Sequence, residues 1–225
     1  GRMRPRTVTC DIRSLQPSAL EGFDAVVHLA ELSNDPLGEH DPRLTFDINH
    51  IGSVRLALLA KRAGVPRFIY TSSCSVYGAA ADGSPRDDTS PGAPQTAYAK
   101  CKVLVERDVG RLADDSFTPV FLRNATAFGP SPRMRFDIVL NNLAGHAWTT
   151  RKINMTSDAT PWRPLVHVDD ICLAVLEALA ERLGGTDMAV AHHLARQIGA
   201  DRDGREPVGP GPRCLRAVSP NVANE

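Results

Sequence analysis

The sequence has no surplus of either charge. Its 26 lysines and arginines stand against 26 aspartates and glutamates, a formal net charge of +0. It carries neither the basic patch that nucleic acid demands nor the basic amphipathic run that a membrane surface demands. Long hydrophobic runs are missing too: none approaches the roughly 18 apolar residues of a membrane-spanning helix. The opening Gly1-Arg2-Met3-Arg4-Pro5-Arg6 is basic, but polar residues come after it where a secretory leader would have an apolar core. Cysteine pairing is lacking as well. Cys10, Cys74, Cys101, Cys172 and Cys214 are odd in number, and no two have metal-ligand spacing. They predict free thiols in a reducing cytoplasm and no metal centre. No internal repeat is visible.

What remains is an alternation of short apolar runs and helical periodicity. Strands are expected over residues 6–10, 23–30, 67–72 and 119–123, with a short edge strand over 152–155. The run 23–30 is apolar on both faces, which suits a central parallel strand. A short helix with a turn is expected over 14–22. Between 43 and 63, Leu44, Ile48, Ile51, Val54 and Leu58 recur at helical spacing, and Gly64 stops the helix. Further helices are expected over 95–112, 136–147 and 169–183. The alternation predicts an α/β fold of βαβ units, a parallel sheet with helices on both faces. Ligands of such sheets bind at the carboxyl ends of the strands, where the loops after Ala30, Ser72 and Arg123 lie. Residues 1–183 are expected to form this domain, with insertions near 131–166. Over residues 184–225, Gly, Arg, Asp and Pro take over. A short helix near 188–198 and then a poorly ordered or atypical tail are expected.

The chemistry centres on Tyr98 and Lys102. Four residues apart on a helix, they share one face. An ammonium beside a phenol favours the phenolate and lowers its pKa from about 10 toward neutrality. Such a phenol can act as general base for an alcohol or sugar hydroxyl.

In this company the chain resembles the extended short-chain dehydrogenase/reductase family, the NAD-dependent nucleotide-sugar epimerases and dehydratases. Asp11-Ile12 is similar to the family's adenine-contacting pair. Val27-His28-Leu29-Ala30 is similar to its fourth-strand signature, whose backbone at Leu29 and Ala30 passes the cofactor. Asn49 matches an asparagine near the nicotinamide ribose. Thr71 to Gly78 resembles the Ser-Ser-x-x-Val-Tyr-Gly stretch, with Ser73 in the catalytic serine or threonine position. Tyr98 and Lys102 take the Tyr-x-x-x-Lys positions. Arg123 to Pro130 matches the strand-end arginine and the Tyr-Gly-Pro loop, with Phe128 for tyrosine. Arg163 to Asp170 resembles the Arg-Asp-x-x-His-Val-x-Asp element, whose arginine grips the substrate diphosphate.

The resemblance implies a Rossmann-like fold, NAD as cofactor, a nucleotide-sugar substrate and a homodimer through the Tyr98 helix. Tyr98 would be the base and, with Lys102, would also contact the cofactor. Lys102 would tune it and hold the ribose, and Ser73 would stabilise charge at the reacting oxygen. Thr126, Asn142 and Arg163 would join Ser73 in binding substrate. His28 and His167 are expected to be structural.

The sequence also departs from the family pattern. No Gly-x-x-Gly-x-x-Gly turn is present, and the chain opens where the third family strand is expected, so the first βαβ unit is expected to be missing. Dehydratases of the family carry Asp-Glu after the catalytic residue, where this chain has Cys74 and Ser75. 4-Epimerisation through a keto intermediate is therefore preferred over elimination. Two alternatives stand: a non-catalytic family remnant, and a reductase of a non-sugar carbonyl.

Overall fold

The computed structural model describes residues 7–33, 39–78, 86–87, 89–153, 155, 164–180, 188–191 and 215–218. Its strands are β1 (Ala25–His28), β2 (Arg67–Ser73), β3 (Thr118–Asn124), β4 (Thr126–Phe128), β5 (Leu165–His167), β6 (Met188–Ala191) and β7 (Leu215–Val218). Its helices are α1 (Pro42–Thr45), α2 (Ser53–Arg62), α3 (Ala97–Gly110), α4 (Val139–Thr150) and α5 (Val168–Ala180). A π-helical stretch, Phe46–Gly52, joins α1 to α2. The main sheet has the order β1-β2-β3-β6-β7. The pairs from β1 to β6 are parallel and β7 runs antiparallel to β6. A second, two-stranded parallel sheet joins β4 to β5.

Alternation along the strands divides the core. Phe68, Tyr70 and Phe121 face one side, where Leu56, Leu59 and Ala60 of α2 and Val105 and Val109 of α3 cover them. Ile69, Val120 and Leu122 face the other side, against Ala178 and Val175 of α5. Helices thus cover both faces of a mostly parallel sheet, as expected.

Local chemistry sets the helix ends. Asp41 caps α1 by accepting from Leu44 N at 3.0 Å, ahead of Pro42. The helix 43–63 is interrupted internally, because Phe46–Gly52 is π-helical. Residues beyond α2 turn away at Gly64, whose φ of 76 suits glycine. Thr96 caps α3 by accepting from Ala99 N at 3.1 Å, and the Glu39 carboxylate accepts from Ala97 N at 2.6 Å.

Several expectations are corrected. Residues 7–10 form no strand: they are exposed coil, because no neighbouring strand among the described residues pairs with them. β1 lies at the edge of the sheet and is shorter than residues 23–30, so its valines are half-buried instead of central. Residues 152, 153 and 155 form no edge strand, with Ile153 and Met155 exposed. Met188–Ala191 is a strand, not the start of a helix, since the open side of β3 offers it a parallel partner.

Candidate active site

The carboxyl end of β2 is the floor of the site. β2 and β3 run in register to their ends, placing Ser73 beside Asn124 and Ser72 beside Arg123. Ser73 closes β2 and caps the 3-10 turn Cys74–Tyr77, its Oγ accepting from Ser75 N at 3.2 Å. Gly78 then lets the chain press against the segment leading into α3. A Cβ built there would sit 2.0 Å from Ala93 O, so only glycine fits. Ala93 N donates to Val76 O at 3.0 Å. The loop carrying Ser73 is thereby tied to the entry of the helix carrying Tyr98.

Lys102 is the best-buried charge of the site, its side chain 4% exposed. Its Nζ donates to Thr71 O at 2.5 Å and to Glu31 Oε2. It lies 5.3 Å from the centre of the Tyr98 ring and 4.4 Å from that of Tyr70. The sequence-based pairing of Tyr98 with Lys102 is thus realised as one turn of α3. Tyr98 stands in the first turn of α3. Burial pulls the Lys102 ammonium below its ordinary value, and the Glu31 carboxylate opposes that pull. Burial drives the Tyr70 hydroxyl well above its ordinary value, and Glu31 adds to this.

A second network braces the same strand end. Glu106, one turn beyond Lys102, accepts from Ser72 Oγ at 2.5 Å and from Arg123 Nη2 at 2.6 Å and Nε at 3.0 Å. Arg123 Nη1 donates to Tyr77 OH at 2.9 Å. The strand-end arginine therefore holds the turn after Ser73 in place.

Asn49 is fully buried inside the π-helical stretch. Its Oδ1 accepts from Leu32 N at 2.8 Å and its Nδ2 donates to Leu32 O at 2.9 Å. Leu32 adjoins Glu31, so Asn49, Glu31, Lys102 and Tyr98 are contiguous. Leu29 and Ala30 are exposed at the same strand end. His28 is buried, with Nε2 2.7 Å from Ser53 Oγ, and its pKa is lowered to about 4 by burial and then by the charge of Lys102.

The remaining candidates lie apart from this cluster or beside it. Asp11 caps the 3-10 turn Ile12–Ser14 and pairs with Arg13, which also reaches Asp47 at 2.5 Å. Ile12 packs over Gly52. Thr126 opens β4, its backbone N donating to Pro164 O at 3.1 Å. Asn142 Nδ2 donates to Phe136 O at 2.9 Å, while the more buried Asn141 ties Arg135 O to Gly129 N. Gly129 has φ 118, and a Cβ there would lie 2.6 Å from His167 Nε2. His167 Nδ1 accepts from Asp169 N at 3.2 Å and its ring stands edge-on to Phe128. Arg163 lies outside the described residues.

Sequence reasoning missed Glu31 and Glu106. Glu31 reads as the first residue of a polar loop. Its one signal is its place directly after an apolar strand that ends at the ligand edge. Glu106 reads as a helix-surface residue; its signal is the four-residue step from Lys102.

The family model for the NAD dependent epimerase/dehydratase family matches residues 4–191. The chain belongs to that family. A UDP-glucose 4-epimerase of Rhizobium leguminosarum bv. trifolii is 28% identical over 203 residues, 82% of this chain and 58% of that protein. A 3beta-hydroxysteroid dehydrogenase/Delta(5)-Delta(4) isomerase 1 of Caenorhabditis elegans is 29% identical over 136 residues, 58% of this chain and 29% of that protein. The solved structure of MoeE5 in complex with UDP-glucose and NAD is 26% identical with a TM-score of 0.72, covering 96% of this chain and 65% of that one. This family member thus spans less than two thirds of each of those two curated relatives. Among the described residues, no helix is long and apolar enough to cross a membrane, and no cluster suited to a metal ion occurs.

Proposed function

We propose that this family member is an NAD-dependent oxidoreductase of nucleotide sugars that performs 4-epimerisation through a keto intermediate. The observation that carries the reading is Tyr98 set one helical turn from a buried Lys102, beside the strand end that carries Ser73. The residues fit the cofactor at two places. Lys102 has one N–H beyond those given to Glu31 and Thr71, the donor a ribose hydroxyl needs, and Asp11 has a part-exposed carboxylate, an acceptor for the amino group of an adenine. NAD, when bound, supplies the hydride acceptor and returns the hydride. Tyr98 takes the hydroxyl proton of the sugar carbinol, and Lys102 stabilises the phenolate that this requires. Ser73 hydrogen-bonds the reacting oxygen as charge develops on it. Thr126, Asn142 and Arg163 would bind substrate, in a region near 131–166.

Support comes from the 82% coverage of this chain by a 4-epimerase relative and from the fold shared with a UDP-glucose complex. Replacing Tyr98 by Phe should lower turnover of nucleotide sugars by roughly 10²–10⁴-fold with NAD affinity retained. Undiminished turnover would overturn the assignment. A calorimetric titration with NAD separates this reading from a non-catalytic family member, which would not bind. A second reading, reduction of a non-sugar carbonyl, is favoured by the match to the nematode hydroxysteroid enzyme. Turnover of uncharged ketones alone would select it. Sedimentation velocity tests the homodimer that the family resemblance implies.

A further inference from the structure

Glu31 inverts the ordinary preference for burial. Its side chain is 5% exposed while Leu29, two residues before it, is 69% exposed. A carboxylate turned inward where a leucine is turned outward is held there by its partners. Oε1 accepts from Tyr70 OH at 2.6 Å and from Ser53 Oγ at 3.2 Å, and Oε2 accepts from Lys102 Nζ. The donors come from β2, α2 and α3, so three elements fix one carboxylate. Behind it, Ser53 Oγ is 2.7 Å from His28 Nε2.

We infer that Glu31 is a positioning residue for the reaction, the fixed counter-ion that keeps Lys102 charged and aimed at Tyr98 inside a nearly dry site. The inference rests on the proposed role of Lys102 toward Tyr98. A lysine buried this deeply tends to lose its proton, and a neutral amine gives a phenolate no support. The other titratable groups around Lys102 do not replace Glu31. Tyr70 and His28 approach from the sheet, and neither supplies a negative charge. Cys101 and Glu106 approach from α3 itself. The Cys101 thiol is pushed up to about 12, first by burial, and so stays neutral. Glu106 is engaged by Arg123. From the π-helical stretch, His50 turns to Asp108 at 2.8 Å. Glu31 also aims the ammonium: with one N–H on Glu31 and one on Thr71 O, the direction of the third is set.

The test uses the full 225-residue chain with Glu31→Gln, which keeps the shape and can still accept from Tyr70 and Ser53. The chain has only four lysines, Lys61, Lys100, Lys102 and Lys152, so the ¹³Cε resonance of Lys102 can be assigned with Lys102→Met. In Glu31→Gln the Lys102 resonance should titrate at lower pH than in the parent chain. The alkaline limb of the turnover profile should move to lower pH in step, with turnover on the order of tenfold lower at about pH 9 and less affected near neutrality. Glu31→Asp, which keeps the charge, should restore both. An unmoved Lys102 titration, or a turnover profile lowered uniformly at all pH values, would overturn the inference. If Glu31→Gln does not fold, Glu31→Met carries the test, because it fills the same space and removes the charge. The Lys102 titration should move there too, and an unmoved one overturns the inference. Absence of turnover in the parent chain would instead strike the proposed activity, while the resonance titration still decides the role of Glu31.

Discussion

Two buried ion pairs lie either side of the end of β2, and they are built from different cations. Glu106 meets Arg123, with side chains 11% and 17% exposed, and Glu31 meets Lys102, with side chains 5% and 4% exposed. Both pairs use α3, and both hold consecutive β2 residues, Ser72 and Thr71. Arg123 keeps its charge. Burial works against it, but the forked bonds to Glu106 outweigh burial and leave it above its ordinary value. Lys102 is drawn below its ordinary value by its own burial. A guanidinium with a planar fork suits a permanent brace, whereas an ammonium whose charge responds to its surroundings suits a site. The difference separates a brace from the lysine proposed to serve the reaction within one helical turn.

Breaking the brace should have the largest effect. Arg123→Met strands Glu106 and should cost about 3–5 kcal/mol in urea unfolding. A loss below about 1 kcal/mol would show that Ser72 and Tyr77 suffice to hold the strand end. The responsive pair should show itself through its neighbour His28. The folded pKa of His28 is about 4 against an ordinary 6.5, so on acidification the unfolded chain takes up this proton first. The stability contributed at neutral pH is then lost as pH falls from 6.5 through about 4, on the order of 3 kcal/mol. Unfolding curves at several pH values should be steeper in pH for the parent than for His28→Gln. The smallest change in stability is expected from Lys102→Arg, about 1–3 kcal/mol through crowding. Its signature is elsewhere: a cation that cannot titrate should abolish the alkaline fall in turnover, even as turnover itself drops. Persistence of that fall would place its origin outside Lys102.

Much of this arrangement could be read from the chain. β2, β3 and α3 announce themselves through apolar runs and the step from Tyr98 to Lys102, because short-range pattern and backbone geometry coincide there. Residues 7–10 did not form the expected strand. Thr7, Val8 and Thr9 favour extension, but a strand needs a neighbour, and Val8 is left 58% exposed. β1 failed as a central strand for the same reason: its valines say how apolar it is, not what lies beside it. Met188–Ala191 went the other way, taken into the sheet by pairing with β3 that no local pattern encodes. Glu31 was out of reach because its partner lies 71 residues along the chain.

The π-helical stretch has a consequence for how this region can change over time. Each residue of an α-helix advances the side chain by about 100°, and a π turn absorbs an extra residue without disturbing the turns beyond it. Asn49 sits within that stretch and Ser53 just after it, one gripping Leu32 and the other Glu31. Loss of any one residue between 46 and 52 would let the helix become regular. By the same rule the turns beyond it, Ser53 included, would stay in phase, so the change would fall on Asn49 inside the stretch. A single deletion there would therefore act on the hold of Asn49 on Leu32, while Ser53 would keep its place against Glu31.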